Sequence, residues 1–140
     1  MYQTKNFENL KGINGISAQA LEIHFKLYSG YVDNTNKLLE KLKTAEAGTP
    51  EFSELKRRFG WEFNGMRLHE IYFESLTKEV SQIDKNSAVF EQIEKDFGTY
   101  ENWQKDFIAT ALGRGIGWAI LYWDKDAQKL LNAWIEQHHS

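Results

Sequence analysis

Histidine is the residue of this chain best suited to bind a metal ion, and the sequence contains four histidines. His24 and His69 lie on the aromatic sides of two long predicted helices, and His138 and His139 lie together near the C-terminal residue. A neutral imidazole is a nitrogen ligand for first-row transition metals, and its burial costs free energy unless its lone pair is used. If the two helices pack side by side, His24 and His69 can bind one metal ion between them.

Each histidine also has a plainer interpretation. A single histidine on an apolar helix face is commonly a core residue with one hydrogen bond, and spacing alone does not separate this from a ligand. His138 and His139 are equally compatible with a frayed terminus or the remnant of a purification tag. The residues by themselves therefore leave a metal centre and an ordinary protein core both open.

Other kinds of site find less support in the sequence. The net charge is −3 and no basic stripe alternates with aromatic residues, so we expect no nucleic-acid partner. The absence of cysteine excludes disulfides, thiolate metal ligands and cysteine nucleophiles. None of the motifs GxGxxG, HExxH, GxSxG or the P-loop occurs, and the GRGIG run at 113–117 leads into a predicted strand, so it does not form a phosphate site.

The sequence also carries no sign of export or membrane insertion. The opening MYQTKNFENL lacks the basic start and apolar stretch of a signal peptide. The longest fully apolar run is Trp118–Trp123, much shorter than the roughly 20 residues that a membrane-spanning helix needs. We therefore expect a cytoplasmic protein that does not contact membranes.

Two long helices are predicted to position His24 and His69. Ser17 is the expected N-cap of the first helix, which ends near the sequence AEAGTP. The sequence TPE at 49–51 supplies a cap, a first-position proline and a first-turn acid for the second helix. Gly60 is predicted to break or kink this helix, and a further helical stretch follows from Trp61 to Leu76. The two helices, joined by a loop, form an antiparallel hairpin.

The rest of the chain combines helices with strands. Ser87 is the expected N-cap of a helix that ends at Gly98, and Thr99 is the expected N-cap of the next helix. The runs GIGWAILYWD and KLLNAWIEQ are rich in β-branched and aromatic residues and surround the turn-rich DKDAQ, which predicts a β-hairpin. Helices followed by helices with strands indicate the α+β fold class.

A polar stretch from Thr77 to Lys85 is interpreted as the boundary between two layers. The predicted domains are a helical hairpin at 1–84 and an α/β domain, with two helices and a β-hairpin, at 85–140.

Four separate stretches of the chain resemble the iron/manganese superoxide dismutase family. ISAQALEIHFKLYSGYVDNTN at 16–36 resembles the first helix of that family, and GMRLHEIYFESL at 65–76 resembles its second long helix. DFGTYENWQKDF at 96–107 is similar to a family segment that begins Asp-Phe-Gly, and GIGWAILYWD at 115–124 is similar to the family's Gly-x-Gly-Trp-Ala strand. The four stretches occur in the family's order and cover nearly the whole chain.

The resemblance implies a role for particular residues. It makes His24 and His69 metal ligands for one iron or manganese ion per subunit. It makes Tyr31 the tyrosine of the substrate funnel. Three aromatic residues would form part of a shell around the metal: Trp118, Tyr72 and Phe73.

Family members also place an amide or imidazole group in hydrogen-bond reach of the metal-bound solvent. One position for this group lies four residues before the second ligand, where this chain has Gly65, and the other lies just beyond the second strand, where it has His138. The resemblance therefore implies that His138 is this donor. Such a group tunes the redox potential of the metal, but the combination does not decide between iron and manganese.

The first helix departs from the family pattern between His24 and Tyr31, where it is one residue shorter than usual. One residue rotates a helical position by about 100°, so we expect a local bulge near Ser29-Gly30. Tyr28 and Ser29 stand roughly where the family has a pair of histidines. Which of Tyr28 and Tyr31 faces the metal is left open.

A second departure concerns the other two ligands. Family members take them from an Asp-x-x-x-His motif beyond a third strand, and the sequence reaches Ser140 before that strand. We interpret the chain as a fragment of a longer protein, and a relic that has lost catalysis is the alternative. The missing third strand would leave an exposed sheet edge.

The resemblance implies a superoxide dismutase, complete only with the missing C-terminal segment, that converts superoxide into oxygen and hydrogen peroxide. It also implies a homodimer with superoxide as its small-molecule substrate. The rival hypothesis is a non-catalytic scaffold of the same fold without a functional metal site. A helical protein that binds haem or zinc through two histidines has less support, because no third donor is visible on the hairpin.

Overall fold

The computed structural model describes residues 1–79 and 82–139. Its elements are a short 3-10 helix (Glu8–Leu10), helices α1 (Ala18–Leu42), α2 (Pro50–Glu74), α3 (Ala88–Phe97) and α4 (Tyr100–Ala111), and strands β1 (Gly117–Asp124) and β2 (Lys129–Glu136). The chain forms two compact units. The first contains the N-terminal segment, α1 and α2, and the second contains α3, α4, β1 and β2. The α+β prediction, with a helical hairpin ahead of an α/β layer, is confirmed.

Helix α1 begins where the sequence predicts. The side chain of Ser17 accepts a hydrogen bond from the Ala20 N–H at 3.1 Å, which satisfies one of the free amides of the first turn. The predicted bulge near Ser29-Gly30 is wrong, because α1 continues as a regular helix through both residues. Ser29 instead donates its hydroxyl to the Phe25 carbonyl one turn back, at 3.0 Å.

Helix α2 also begins as predicted, with Thr49 as its N-cap and Pro50 in its first turn. Of the break or kink predicted at Gly60, the break is wrong, because one helix of 25 residues passes through this residue. A glycine inside a helix costs about 1 kcal/mol relative to alanine. Burial of neighbouring residues on the hairpin outweighs this cost, since Met66 and Phe73 of the same helix are almost fully buried.

The two helices pack along an apolar seam that the N-terminal segment covers. Tyr2 pairs with Asn36 through two hydrogen bonds of 2.8 Å, which hold the start of the chain against α1. The Phe7 ring lies 5.0 Å from the Phe73 ring, between centroids, and 5.8 Å from the Tyr28 ring. The seam is therefore closed on this side by aromatic contacts, which exclude water from the hairpin interior.

In the second unit, Ser87 and Thr99 cap α3 and α4 as predicted. Gly98 adopts φ +82°, a conformation that favours glycine, and thereby ends α3. Strands β1 and β2 pair antiparallel, with Trp118 opposite Ile135, as the predicted β-hairpin requires. Within the described residues the sheet has two strands.

None of the helices formed by the described residues has both the length and the apolar character needed to cross a bilayer.

Candidate metal centre

His24 on α1 and His69 on α2 face each other across the helical hairpin. Their ring centroids are 4.9 Å apart and the ring planes are 80° apart. His69 is buried, with 2% of its surface exposed, and His24 is half-buried. The structure therefore brings together the two histidines that the sequence predicts as ligands.

The hydrogen bond of His69 fixes which of its ring nitrogens carries the proton. Nδ1 lies 2.6 Å from the carbonyl oxygen of Gly65, one turn earlier on α2. A carbonyl oxygen only accepts hydrogen bonds, so Nδ1 carries the hydrogen and the neutral ring has its lone pair on Nε2. Metal-bound histidines commonly donate their second nitrogen to a backbone carbonyl in this way, which orients the ring.

His24 is also poised to be neutral. Burial lowers the pKa of His24 below its ordinary value, because desolvation disfavours the charged imidazolium. A neutral ring keeps one nitrogen unprotonated, and a metal ligand needs such a nitrogen. In its neutral form each ring carries a lone pair on one nitrogen, and this is the form that a first-row transition metal binds.

Aromatic rings surround the two imidazoles. The Tyr72 and Phe73 rings lie 5.3 and 4.9 Å from the His24 ring, between centroids. The Tyr31 ring lies 5.0 Å from the His69 ring. An apolar wall of this kind excludes water and strengthens electrostatic interactions inside the site.

The structure distinguishes the two tyrosines whose roles the sequence left open. The Tyr28 hydroxyl donates to Glu70 Oε1 at 3.0 Å and accepts from the Lys5 N–H at 3.1 Å. Its ring centroid lies 6.5 Å from that of His69, farther than the Tyr31 ring. The hydroxyl of Tyr28 is thus engaged with the N-terminal segment and with Glu70, and Tyr31 is the tyrosine nearer to His69.

Glu70 is a buried carboxylate that sequence reasoning missed. Only 4% of its surface is exposed, and Arg67 Nη1 donates to its Oε2 at 2.6 Å. Burial by itself would raise the pKa of Glu70, but hydrogen bonds from Arg67 and Tyr28 outweigh burial, and the pKa is lowered. The three-residue spacing of Arg67 and Glu70 on a helix was the available signal for this pair.

In the second unit, His138 is held by Trp118. The indole Nε1–H donates to His138 Nδ1 at 3.1 Å, and 7% of the surface of His138 is exposed. Since an indole nitrogen only donates, Nδ1 is the accepting nitrogen, and the neutral ring carries its hydrogen on Nε2. His138 therefore presents a hydrogen-bond donor, whereas His139 is exposed.

The predicted site residues fall into two groups. In the first unit the structure brings together His24, His69, Tyr31, Tyr72 and Phe73. In the second it brings together Trp118 and His138. Over residues 1–79 and 82–139, no cluster of three or more His, Cys, Asp or Glu side chains is arranged to hold a metal ion. Two imidazoles are suitable donors for iron or manganese but make up only part of a ligand set.

Comparison with known families agrees with this architecture. Residues 10–77 match the alpha-hairpin domain of the iron/manganese superoxide dismutases, and residues 85–140 match the C-terminal domain of the same enzymes. The chain belongs to the iron/manganese superoxide dismutase family, as the sequence resemblance implied.

Three curated relatives are named as iron superoxide dismutases. The relative from Saccharolobus solfataricus is 28% identical over 131 residues, which cover 88% of this chain and 62% of the relative. The relative from Pyrobaculum aerophilum is 30% identical over 138 residues, which cover 89% of this chain and 61% of the relative. The relative from Cupriavidus metallidurans is 35% identical over 130 residues, which cover 90% of this chain and 66% of the relative. The chain thus spans less than two thirds of the length of each of these relatives.

Proposed function

We propose that this chain is the metal-binding core of a superoxide dismutase, which converts superoxide into oxygen and hydrogen peroxide. The observation that carries the proposal is the pair of buried and half-buried imidazoles, His69 and His24, whose centroids are 4.9 Å apart. In this proposal residues 1–84 are the hairpin domain and residues 85–140 are an incomplete C-terminal domain. The relatives' name as iron superoxide dismutases supports the reaction.

His24 and His69 would hold one iron or manganese ion per subunit through ring nitrogens. The Nδ1–H donation of His69 and the lowered pKa of His24 support this role, because the first places the lone pair of the neutral His69 ring on Nε2 and the second favours the neutral form of His24. When bound, the ion supplies the one-electron chemistry that oxidises one superoxide anion and reduces a second. We propose that further ligands come from polypeptide corresponding to the part of the relatives that this chain does not cover.

Tyr31 and His138 would hold and deliver protons for the peroxide product. The nearness of Tyr31 to His69, together with the engagement of the Tyr28 hydroxyl by Glu70, favours Tyr31 for this role. The Nε2–H of His138, fixed by the bond from Trp118 to Nδ1, is a donor suited to orienting solvent.

The aromatic side chains of the proposed site would keep bulk water away from the reacting groups. Tyr72 and Phe73 lie beside His24 in the first unit, and the family resemblance adds Trp118 of the second unit to this proposed shell. Superoxide is an anion and the chain carries a net charge of −3, so its capture requires a positive potential confined to the approach. A homodimer, which the family resemblance implies, and a location in the cytoplasm complete the proposal.

A non-catalytic scaffold of the same fold is the second candidate. It is favoured by one specific observation: over the described ranges, no third His, Cys, Asp or Glu joins the two histidines in a metal-binding cluster. Under this hypothesis His69 is a core residue satisfied by the Gly65 carbonyl, and His24 fills space beside Phe73.

Metal content and activity separate the two candidates. The chain would be extended at its C-terminus by the corresponding segment of the Cupriavidus metallidurans relative, so that the proposed ligand set can be complete. This extended chain and its His24→Ala, His69→Ala and His139→Ala variants would be loaded with manganese or iron, dialysed and measured by elemental analysis. His139 is exposed and serves as the matched control. The proposal predicts that the first two variants lose the bound metal and the third keeps it. Metal bound to the parent protein and kept equally by all three variants would refute the ligand assignment.

The reaction itself is tested on a chain extended at its C-terminus by the corresponding segment of the Cupriavidus metallidurans relative. Dismutase activity that requires both His24 and His69 would support the enzyme. A folded, extended protein without iron, manganese or activity would support the scaffold.

A further inference from the structure

We propose that Arg58 is a positioning residue for Tyr31, which it restrains by holding the Trp61 ring against the tyrosine. The inference rests on the proposed function, in which Tyr31 acts beside the metal ligand His69. It extends the site to a charged residue near the middle of α2 that the family resemblance does not assign.

Arg58 makes two contacts at once on its own helix. Its guanidinium carbon lies 4.6 Å from the centroid of the Trp61 ring. Its Nη2 and Nε donate to Glu62 Oε1 at 2.6 and 2.9 Å. Residues three and four positions apart lie on the same side of a helix, so one side chain can reach both. A planar guanidinium stacks on an aromatic face while donating two hydrogen bonds, and a lysine ammonium lacks this geometry.

Glu62 is the fixed end of this arrangement. Its side chain is only 2% exposed, and the same Oε1 also accepts from Asn34 Nδ2 of α1 at 3.3 Å. A buried carboxylate that loses its cation is strongly destabilising, because its desolvation is no longer compensated. Arg58 is therefore held in one orientation, even though 49% of its side chain is exposed.

Trp61 passes this restraint to the site. Its ring centroid lies 5.5 Å from that of Tyr31, with the planes 59° apart. The Tyr31 ring in turn lies 5.0 Å from the His69 ring. If the guanidinium no longer stacks on the Trp61 ring, Trp61 gains rotamer freedom. The Tyr31 ring then loses a fixed packing neighbour. Arg58 therefore acts on the position of the Tyr31 hydroxyl through the intervening indole.

The neighbouring Arg57 shows what an ordinary ion pair on this helix looks like. Arg57 binds Glu54 at the same kind of spacing, but the two side chains are 63% and 61% exposed. Exposed pairs of this type contribute between about 0 and 1 kcal/mol. Arg57 is thus a matched control, because it has the same chemistry on the same helix without a buried partner.

The test follows the Tyr31 ring in the metal-free chain of 140 residues. Fluorotyrosine would be incorporated and read by fluorine NMR, with the Tyr31 and Tyr28 signals assigned through Tyr→Phe variants. The variants are Arg58→Ala, Arg58→Lys and the control Arg57→Ala. Arg58→Lys keeps the charge beside Glu62 and so protects folding if the alanine variant unfolds.

We expect both Arg58 variants to shift the Tyr31 signal by more than its line width. The Tyr28 signal should stay in place, and Arg57→Ala should leave both signals unchanged. An unchanged Tyr31 signal in Arg58→Lys, or equal movement of the Tyr28 signal, would overturn the proposal. Because this NMR test uses the metal-free chain, its outcome does not depend on the metal analysis. If His24 and His69 prove not to be metal ligands, the proposed function is refuted, but the effect of Arg58 on the Tyr31 signal is still measured.

Discussion

The imidazole rings of His24 and His69 meet almost perpendicularly, with their planes 80° apart and their centroids 4.9 Å apart. The Gly65 carbonyl sets the orientation of the His69 ring. The Phe73 ring of α2 packs against the His24 ring, with 4.9 Å between their centroids. These contacts orient both rings in the metal-free chain, as the proposed ligand role requires. The same rigidity should be visible in variants of the residues that surround the pair.

Tyr28→Phe should destabilise the hairpin without removing any apolar contact. The hydroxyl is buried, donates to the Glu70 carboxylate and accepts from the Lys5 amide. A hydrogen bond to a charged group contributes about 1.5–3 kcal/mol, so we expect a loss of that size in the free energy of unfolding. Urea unfolding followed by circular dichroism measures it.

Tyr122→Phe is the control for this change, because Tyr122 is exposed on β1. It should alter the free energy of unfolding by no more than about 0.5 kcal/mol. Equal losses in the two variants would mean that the Tyr28 hydroxyl bond does not stabilise the hairpin.

Thr35→Val should leave stability unchanged or raise it. Thr35 is fully buried, and its hydroxyl oxygen has no hydrogen-bond partner among the described residues. An unsatisfied buried hydroxyl is costly, and valine has the same shape, so we expect a gain of about 1 kcal/mol. Thr49→Val is the opposite case, because Thr49 caps α2 by accepting from the Phe52 N–H. Thermal unfolding should show a loss of about 1 kcal/mol in the free energy of unfolding for Thr49→Val. A comparable loss for Thr35→Val would indicate that the Thr35 hydroxyl has a hydrogen-bond partner.

Most elements and their beginnings could be predicted from the sequence because the relevant interactions are local. Ser17, Thr49, Ser87 and Thr99 each cap a helix through an amide three residues later. Hydrogen bonds between residues this close in the chain can be predicted from a single sequence. The break expected at Gly60 failed because tertiary burial along α2 outweighs the local helix preference of one residue.

The candidate site was predictable only in part. The resemblance named His24 and His69, and the structure places them together, but the buried carboxylate Glu70, which binds the predicted site residue Tyr28, was missed. Tyr28 and Glu70 are 42 positions apart and meet only after the hairpin has formed. Single-sequence patterns do not encode such pairings, since each residue alone reads as an ordinary helix residue.

Asp96→Asn should remove an acid-dependent part of the stability of the second unit. Asp96 Oδ2 accepts from the Leu130 N–H at 2.7 Å and from Gln92 Nε2 at 2.8 Å, which ties α3 to β2. These hydrogen bonds lower the pKa of Asp96 below its ordinary value of 3.8. A carboxyl group with a lowered folded-state pKa stabilises fully above its ordinary pKa, and this stabilisation is lost as pH falls through the lower folded value.

The thermal unfolding midpoint of the wild type should therefore fall more steeply than that of Asp96→Asn as the pH drops below about 4. Asp126→Asn is the control, because Asp126 is exposed in the turn between the strands. Parallel pH profiles for the wild type and Asp96→Asn would contradict the assignment.

Trp118→Phe should release the tautomer of His138. In the wild type the indole N–H donates to His138 Nδ1 at 3.1 Å, so the ring hydrogen is fixed on Nε2. Phenylalanine keeps the aromatic contact but has no N–H, and the neutral imidazole can then exchange between its two tautomers. Nitrogen-15 NMR of the His138 ring distinguishes a protonated from an unprotonated nitrogen, and it should report a mixed population in the variant. Trp123→Phe is the control, since Trp123 is exposed on the same strand. A single Nε2–H tautomer in Trp118→Phe would mean that another contact fixes the ring, and that Trp118 does not set the donor that the proposed reaction uses.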